Sequence, residues 1–142
     1  MKKKIIVSLS LLLLVFLPFI LGMGSIGGST SPDKIPEPNK KFSAMFIDQY
    51  DLVMECWDIS IQGSTFIEGK RGAGTIAIDF DKISYVLFQQ SGGVLKGIIK
   101  MRDDNAIELT LKKQLLAYGR TPYGTYQIQL GDLKMIKNIH PR

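Results

Sequence analysis

The sequence predicts an all-β domain made of one duplicated unit of about five short strands, a small barrel pair or a sandwich, behind an N-terminal signal segment. Three observations predict it. Apolar residues alternate with period two in several segments after Phe42. Turn chemistry separates those segments. The chain also matches itself, without gaps, at an offset of fifty residues.

The opening residues read as an export signal. Lys2, Lys3 and Lys4 form a compact positive start, and no charged residue follows until Asp33. The apolar run from Ile5 to Leu21 is broken only by Ser8, Ser10 and Pro18. Gly22-Met23-Gly24 then places small residues where a signal peptidase reads. Residues 1–24 are therefore expected to be a signal peptide, cut after Gly24. The alternative is an uncleaved anchor in the inner membrane formed by residues 5–23. The run is long for a signal core and short of the ~20 residues that span a bilayer comfortably. Either way the basic start stays in the cytoplasm and the domain lies outside, periplasmic or secreted. No Cys ends the apolar run, which excludes a lipid-modified cysteine there.

Residues 25–41 read as a linker. Gly27, Gly28, Ser29, Thr30 and Ser31 are small, and Pro32, Pro36 and Pro38 interrupt any ladder. Such a stretch is expected to be extended or mobile. Residues 42–142 are then the β domain, long enough for one modest core.

Within it, Ile76, Ile78 and Phe80 alternate with Thr75, Ala77 and Asp79. Ile107, Leu109 and Leu111 form a second such series, and Tyr126, Ile128 and Leu130 a third. Gln62-Gly63-Ser64, Ser91-Gly92-Gly93 and Asp103-Asp104-Asn105 supply turns. No stretch of helical period follows the signal.

The self-match lays Trp57–Val86 on Ile107–Ile136. Gly69 meets Gly119, Gly74 meets Gly124, Thr75 meets Thr125 and Ile78 meets Ile128. Phe80 pairs with Leu130, Ile83 with Leu133 and Val86 with Ile136. A chance overlap of two β segments would align the alternation but not the glycines. Two repeats follow, at about 42–91 and 92–142. Neither has much core alone, so they are expected to pack together. The paired glycines are expected to supply positive φ or a close backbone approach.

Composition narrows the function. Of eighteen Lys and Arg, three lie in the signal, leaving fifteen against thirteen Asp and Glu. Those charges are mixed along the chain, not gathered on the basic face that phosphate contacts require, so no nucleic-acid partner is expected. Membrane contact is expected only through an uncleaved N-terminal segment.

Few residues carry candidate chemistry. His140, the only histidine, lies two residues from the end and reads as part of a mobile tail. Gly69-Lys70-Arg71-Gly72-Ala73-Gly74 could cradle an anion, but a P-loop lysine follows its glycines and opens a helix. Here a strand follows, and a strand-to-strand loop is the plainer reading. Asp79, Asp81, Asp103, Asp104 and Asn105 lack the spacing of a calcium loop. Tyr118, Arg120, Tyr123 and Tyr126 cluster around the second glycine loop. They suit a partner or sugar surface, or cross-strand packing.

Cys56 is the only cysteine, so no disulfide forms within the chain. In strict alternation it faces away from Trp57, Ile59 and Ile61, alongside Asp58, Ser60 and Gln62. There it is either an intermolecular thiol or covered by a neighbouring segment. No metal, cofactor or catalytic set is expected.

The expectation is a non-enzymatic binding or structural module of the cell envelope or beyond it, working through exposed strand edges or loops on an unknown protein partner or on copies of itself. The alternative is a small-ligand or glycan binder using Lys70, Arg71, Tyr118, Arg120, Tyr123 and Tyr126.

Overall fold

The computed structural model describes residues 37–142. The predicted signal or anchor, and the linker up to residue 36, lie outside the described residues. No helix among the described residues is long and apolar enough to cross a membrane.

Ten strands follow in order: β1 (Phe42–Asp48), β2 (Val53–Ile61), β3 (Phe66–Arg71), β4 (Gly74–Asp79), β5 (Ile83–Ser91), β6 (Val94–Met101), β7 (Ala106–Leu111), β8 (Leu116–Thr121), β9 (Gly124–Gln129) and β10 (Leu133–Pro141). Single 3₁₀ turns, Phe80–Lys82 and Leu130–Asp132, lead into β5 and β10. The turn residues act as expected. Gln62 and Gly63 take positive φ after β2, and Gly92 and Gly93 do so between β5 and β6. Between β6 and β7 the Asp103 carboxylate accepts the Asn105 N–H at 3.0 Å, and Asp104 sits at φ 70.

The duplication is visible element by element. β3, β4, the first 3₁₀ turn and β5 recur fifty residues later as β8, β9, the second 3₁₀ turn and β10. The strands do not form two separate barrels. They form one antiparallel sheet in the order β4-β3-β7-β6-β5-β10-β1-β2-β8-β9. Replacing each strand by its repeat mate reverses this order, so the sheet has an approximate twofold axis between β5 and β10. Val86 lies opposite Ile136, its own mate, as that axis requires.

The repeats also exchange hairpins. β3–β4 of the first pairs with β7 of the second, and β8–β9 of the second pairs with β2 of the first. Each half-sheet therefore mixes strands of both repeats. The repeats share one core because neither completes a sheet alone.

The sheet curls into a half-barrel over that core. Ile83, Ile99, Leu130 and Leu133 are fully buried. Phe42 meets the Phe80 ring edge-on at 5.7 Å, and Phe46 lies 6.2 Å from the Tyr126 ring. Phe46 on β1 and Tyr126 on β9 are three strands apart in the sheet, so their contact measures the curl.

Gly69 and Gly119 permit it. A Cβ on Gly69 would lie 2.8 Å from Leu109 Cβ and 2.9 Å from the Thr110 carbonyl oxygen. One on Gly119 would lie 2.5 Å from Cys56 Cβ. Neither has positive φ, so the duplicated glycines serve a close approach where the sheet bends. The other pair, Gly74 and Gly124, divides. Gly74 has no positive φ, because Gly72, with φ 62, makes the β3–β4 turn. In the β8–β9 turn Pro122 bars positive φ, and Gly124 takes φ 136 instead.

The strict alternation expected for β2 fails at Asp58. This residue has φ 51. Between Trp57 and Ser60 the register with β8 gains one residue, the mark of a β-bulge. The bulge resets the faces. Cys56, Ile59 and Ile61 are buried, and Trp57 is turned towards the outside. The end of the predicted linker is held as well. Pro38 is buried, and the Lys41 carbonyl accepts the Arg142 N–H at 3.0 Å.

Candidate functional site

Among the described residues no strand pairs with the outer side of β4 or β9. The ladder pattern shows which backbone groups this leaves. Each edge strand joins its neighbour through a two-residue turn, Arg71 opposite Gly74 and Thr121 opposite Gly124. Hydrogen-bonded and non-hydrogen-bonded pairs alternate from there. Thr75, Ala77 and Asp79 on β4, and Thr125, Gln127 and Gln129 on β9, therefore aim N–H and C=O away from the sheet.

Natural edge strands are commonly guarded by lysine, proline or a bulge. Neither edge has such a guard. β9, Gly-Thr-Tyr-Gln-Ile-Gln, carries no charge, and β4 carries only Asp79. Both hairpins run in regular register throughout.

A groove of about 560 Å³ runs beside each edge. The two occupy matching places in the repeats. The groove at β9 is bounded by Tyr126, Ile128 and Asp132 and by the β1–β2 turn, with Asp48 and Tyr50. The groove at β4 is bounded by Ile76, Ile78 and Lys82 and by the β6–β7 turn, with Asp103 and Asn105; Arg71 also lines it. The backbone frame is shared, and the charges differ. Tyr50 stands 93% exposed at the lip of the first. Burial raises the Tyr126 hydroxyl above its ordinary pKa, and the charges of Asp48, Cys56 and Asp132 raise it further. The Gln127 Oε1 beside that groove is buried and has no hydrogen-bond partner.

The second constellation surrounds Asp58. Its side chain is 10% exposed, and its carboxylate faces three cations. Arg142 Nη1 lies at 3.2 Å, Arg120 Nε at 3.6 Å and Lys41 Nζ at 3.9 Å. Arg142 also sits over the Trp57 ring at 5.7 Å. Lys41 donates to Glu37 at 3.0 Å. That bond holds the Glu37 carboxyl below its ordinary pKa, helped by the charges of Lys41 and Arg120. The cluster joins β2, β8 and the two segments that flank the domain, just where the bulge interrupts the ladder. Its geometry is that of a clamp.

The sequence-predicted ligand residues are scattered. Lys70 and Arg71 on β3, and Tyr118, Arg120, Tyr123 and Tyr126 around β8–β9, belong to hairpins at opposite ends of the strand order. Each glycine loop thus lies at its own edge of the sheet. Tyr118 is 5% exposed, because β8 lies between β2 and β9 with Ser60 opposite, and it is not offered to a ligand. Arg120 is engaged by Asp58. Tyr123 projects 91% exposed from its turn, away from the buried Tyr118. Only Tyr126 lines an edge groove on this side, and Arg71 lines the matching one.

Cys56 is 3% exposed beneath Gly119, and burial pushes its thiol up to about 12. An intermolecular disulfide through it would first require β2 and β8 to separate. His140 is not on a tail. It lies in β10 opposite Ser43, and its Nδ1 is 2.7 Å from the Asn138 carbonyl oxygen. Among the described residues no three His, Cys, Asp or Glu side chains gather as metal ligands.

The edges and the clamp span both repeats, and so does the family assignment. A family model described as "Uncharacterised protein" matches residues 38–140. The chain belongs to this family. Its matched region starts just before β1 and runs into β10, so the unit defining the family is the whole hairpin-exchanged sheet. No curated protein and no solved structure matches the chain.

Proposed function

We propose that this family member is an exported, non-enzymatic β domain that works as a binding or structural module in the cell envelope or outside it, through its two sheet edges. One observation carries the reading: both ends of the sheet are regular, unguarded edge strands with a groove alongside. An exposed edge is an aggregation hazard unless it is covered or used. Pairing with an added strand is the way such an edge recognises a partner.

Three further facts support the reading. The N-terminal sequence has the form of an export signal. The one thiol is held protonated, far from a nucleophile's condition. The residues of the glycan alternative are spread between the two ends of the sheet, with Tyr118 buried.

Cross-linking in intact cells tests the proposal. A photoreactive residue at Thr75 or Gln127 is expected to give covalent adducts in the extracytoplasmic fraction, and one at Lys134 none. Adducts from Lys134 alone, no adducts, or a cytoplasmic chain would overturn it.

A further inference from the structure

We infer that the partner of these edges is a second copy of the chain, added head to tail so that β9 of one copy pairs with β4 of the next. The inference rests on the edge-binding reading above and names its partner.

Strand direction comes first. Every pair in the sheet is antiparallel, and β4 and β9 are its first and tenth strands. They therefore run in opposite directions. A copy displaced sideways meets its neighbour with β4 antiparallel to β9, and the alternation continues without a break. Thr75, Ala77 and Asp79 then face Gln129, Gln127 and Thr125, three free residues on each side.

Charge selects this pairing over the symmetric ones. The groove at β9 carries Asp48 and Asp132. The groove at β4 carries Arg71 and Lys82 against Asp103, and Asp79 ends the strand itself. Joining β9 to β9 gathers four of these carboxylates and no cation, whereas joining β4 to β4 gathers four cations with four carboxylates, Asp79 and Asp103 of each copy, and leaves both acidic β9 grooves without a cation. Joining β9 to β4 brings Arg71 and Lys82 of one copy to the acidic groove of the other.

The chain's own residues 25–36 are a poor occupant. Gly27, Gly28, Pro32 and Pro36 oppose a ladder. A head-to-tail contact leaves a free edge at each end, so assembly is open and grows with concentration.

Complementary blocking tests this. Ala77→Pro closes the β4 edge, and Gln127→Pro the β9 edge, at positions whose N–H points away from the sheet. Ala77→Lys and Gln127→Lys keep every backbone donor and serve if a proline variant fails to fold. Light scattering on the chain, purified as the cell produces it, is expected to show wild-type mass rising with concentration and falling back with salt. Each blocked variant alone is expected to be a monomer. Their equimolar mixture is expected to stop at two chains, since one open β4 and one open β9 remain. A monomeric mixture, a dimer of Ala77→Pro alone, or a wild type that stays monomeric would overturn the inference. If the edges then still cross-link in cells to a different protein, the edge-binding reading survives. If they cross-link to nothing, both fall.

Discussion

An alanine at position 119 would place its Cβ 2.5 Å from Cys56 Cβ and 2.9 Å from Cys56 Sγ. The first neighbour is bonded directly to backbone, so no flexible chain end can swing aside. Strands β2 and β8 must part locally, next to the bulge at Asp58. Overpacking of a tight core costs about 1–3 kcal/mol, and a clash this close belongs at the upper end, about 3 kcal/mol. For a domain of this size that lowers the melting temperature by about 10–20 °C. Urea and thermal unfolding of Gly119→Ala measure it. Gly74→Ala is the control: its Cβ would meet only the Arg71 carbonyl oxygen, at 3.8 Å, and its stability is expected within ~0.5 kcal/mol of wild type. Gly119→Ala combined with Cys56→Gly removes the opposing Cβ, so the double variant is expected to lose less than the two single losses added. A Gly119→Ala chain as stable as the control would refute the close approach, and with it the explanation of the duplicated glycines.

Asp58→Asn keeps the shape, and asparagine tolerates the left-handed backbone, but the charge facing Lys41, Arg120 and Arg142 is lost. Stability is expected to fall by roughly 1–3 kcal/mol, with a weaker dependence on salt; a neutral result would mean that the clamp does not hold the bulge. Cys56 is expected to resist alkylation in the native chain at pH 8 and to react freely in urea. Its thiol titrates at about 12 when folded, against ~8.5 unfolded. The unfolded chain thus releases its proton first, and this residue's contribution to stability declines as pH rises above ~8.5. Prompt native labelling, or loss of that decline in the wild type relative to Cys56→Ala, would contradict its burial.

The repeats were legible because their signals are local. Ile78 and Ile128 keep the alternation, and Gly69 and Gly119 mark the same bend, whatever strand lies next to them. Pairing between repeats was not legible. Period two says which face of β3 is apolar, and it does not say that β7 rather than β2 is its neighbour. The faces of β2 were misread for a related reason. Only the bulge puts Cys56 and Ile59 on one side, and an aspartate with positive φ leaves no trace in an apolar pattern. The Asp58 clamp was invisible because Lys41 and Arg142 lie at opposite ends of the domain. They meet only when β1 joins β10 and β2. His140 looked like a tail residue from its distance to the end, yet the ladder with β1 reaches Phe42 opposite Pro141. The tyrosine cluster contains Tyr126, and exposed strand edges are expected in general, but which strands form them is not legible. An edge is a property of the whole sheet.

Amide hydrogen exchange, followed from dilute to concentrated chain, is the most direct test of the claim that the sheet edges are the working surface. The N–H groups of Thr75, Ala77 and Asp79, and of Thr125, Gln127 and Gln129, are expected to exchange fast when dilute and to become protected together as mass rises. Protection that grows instead at β1, β5 or β10, with both edges exchanging fast throughout, would contradict it.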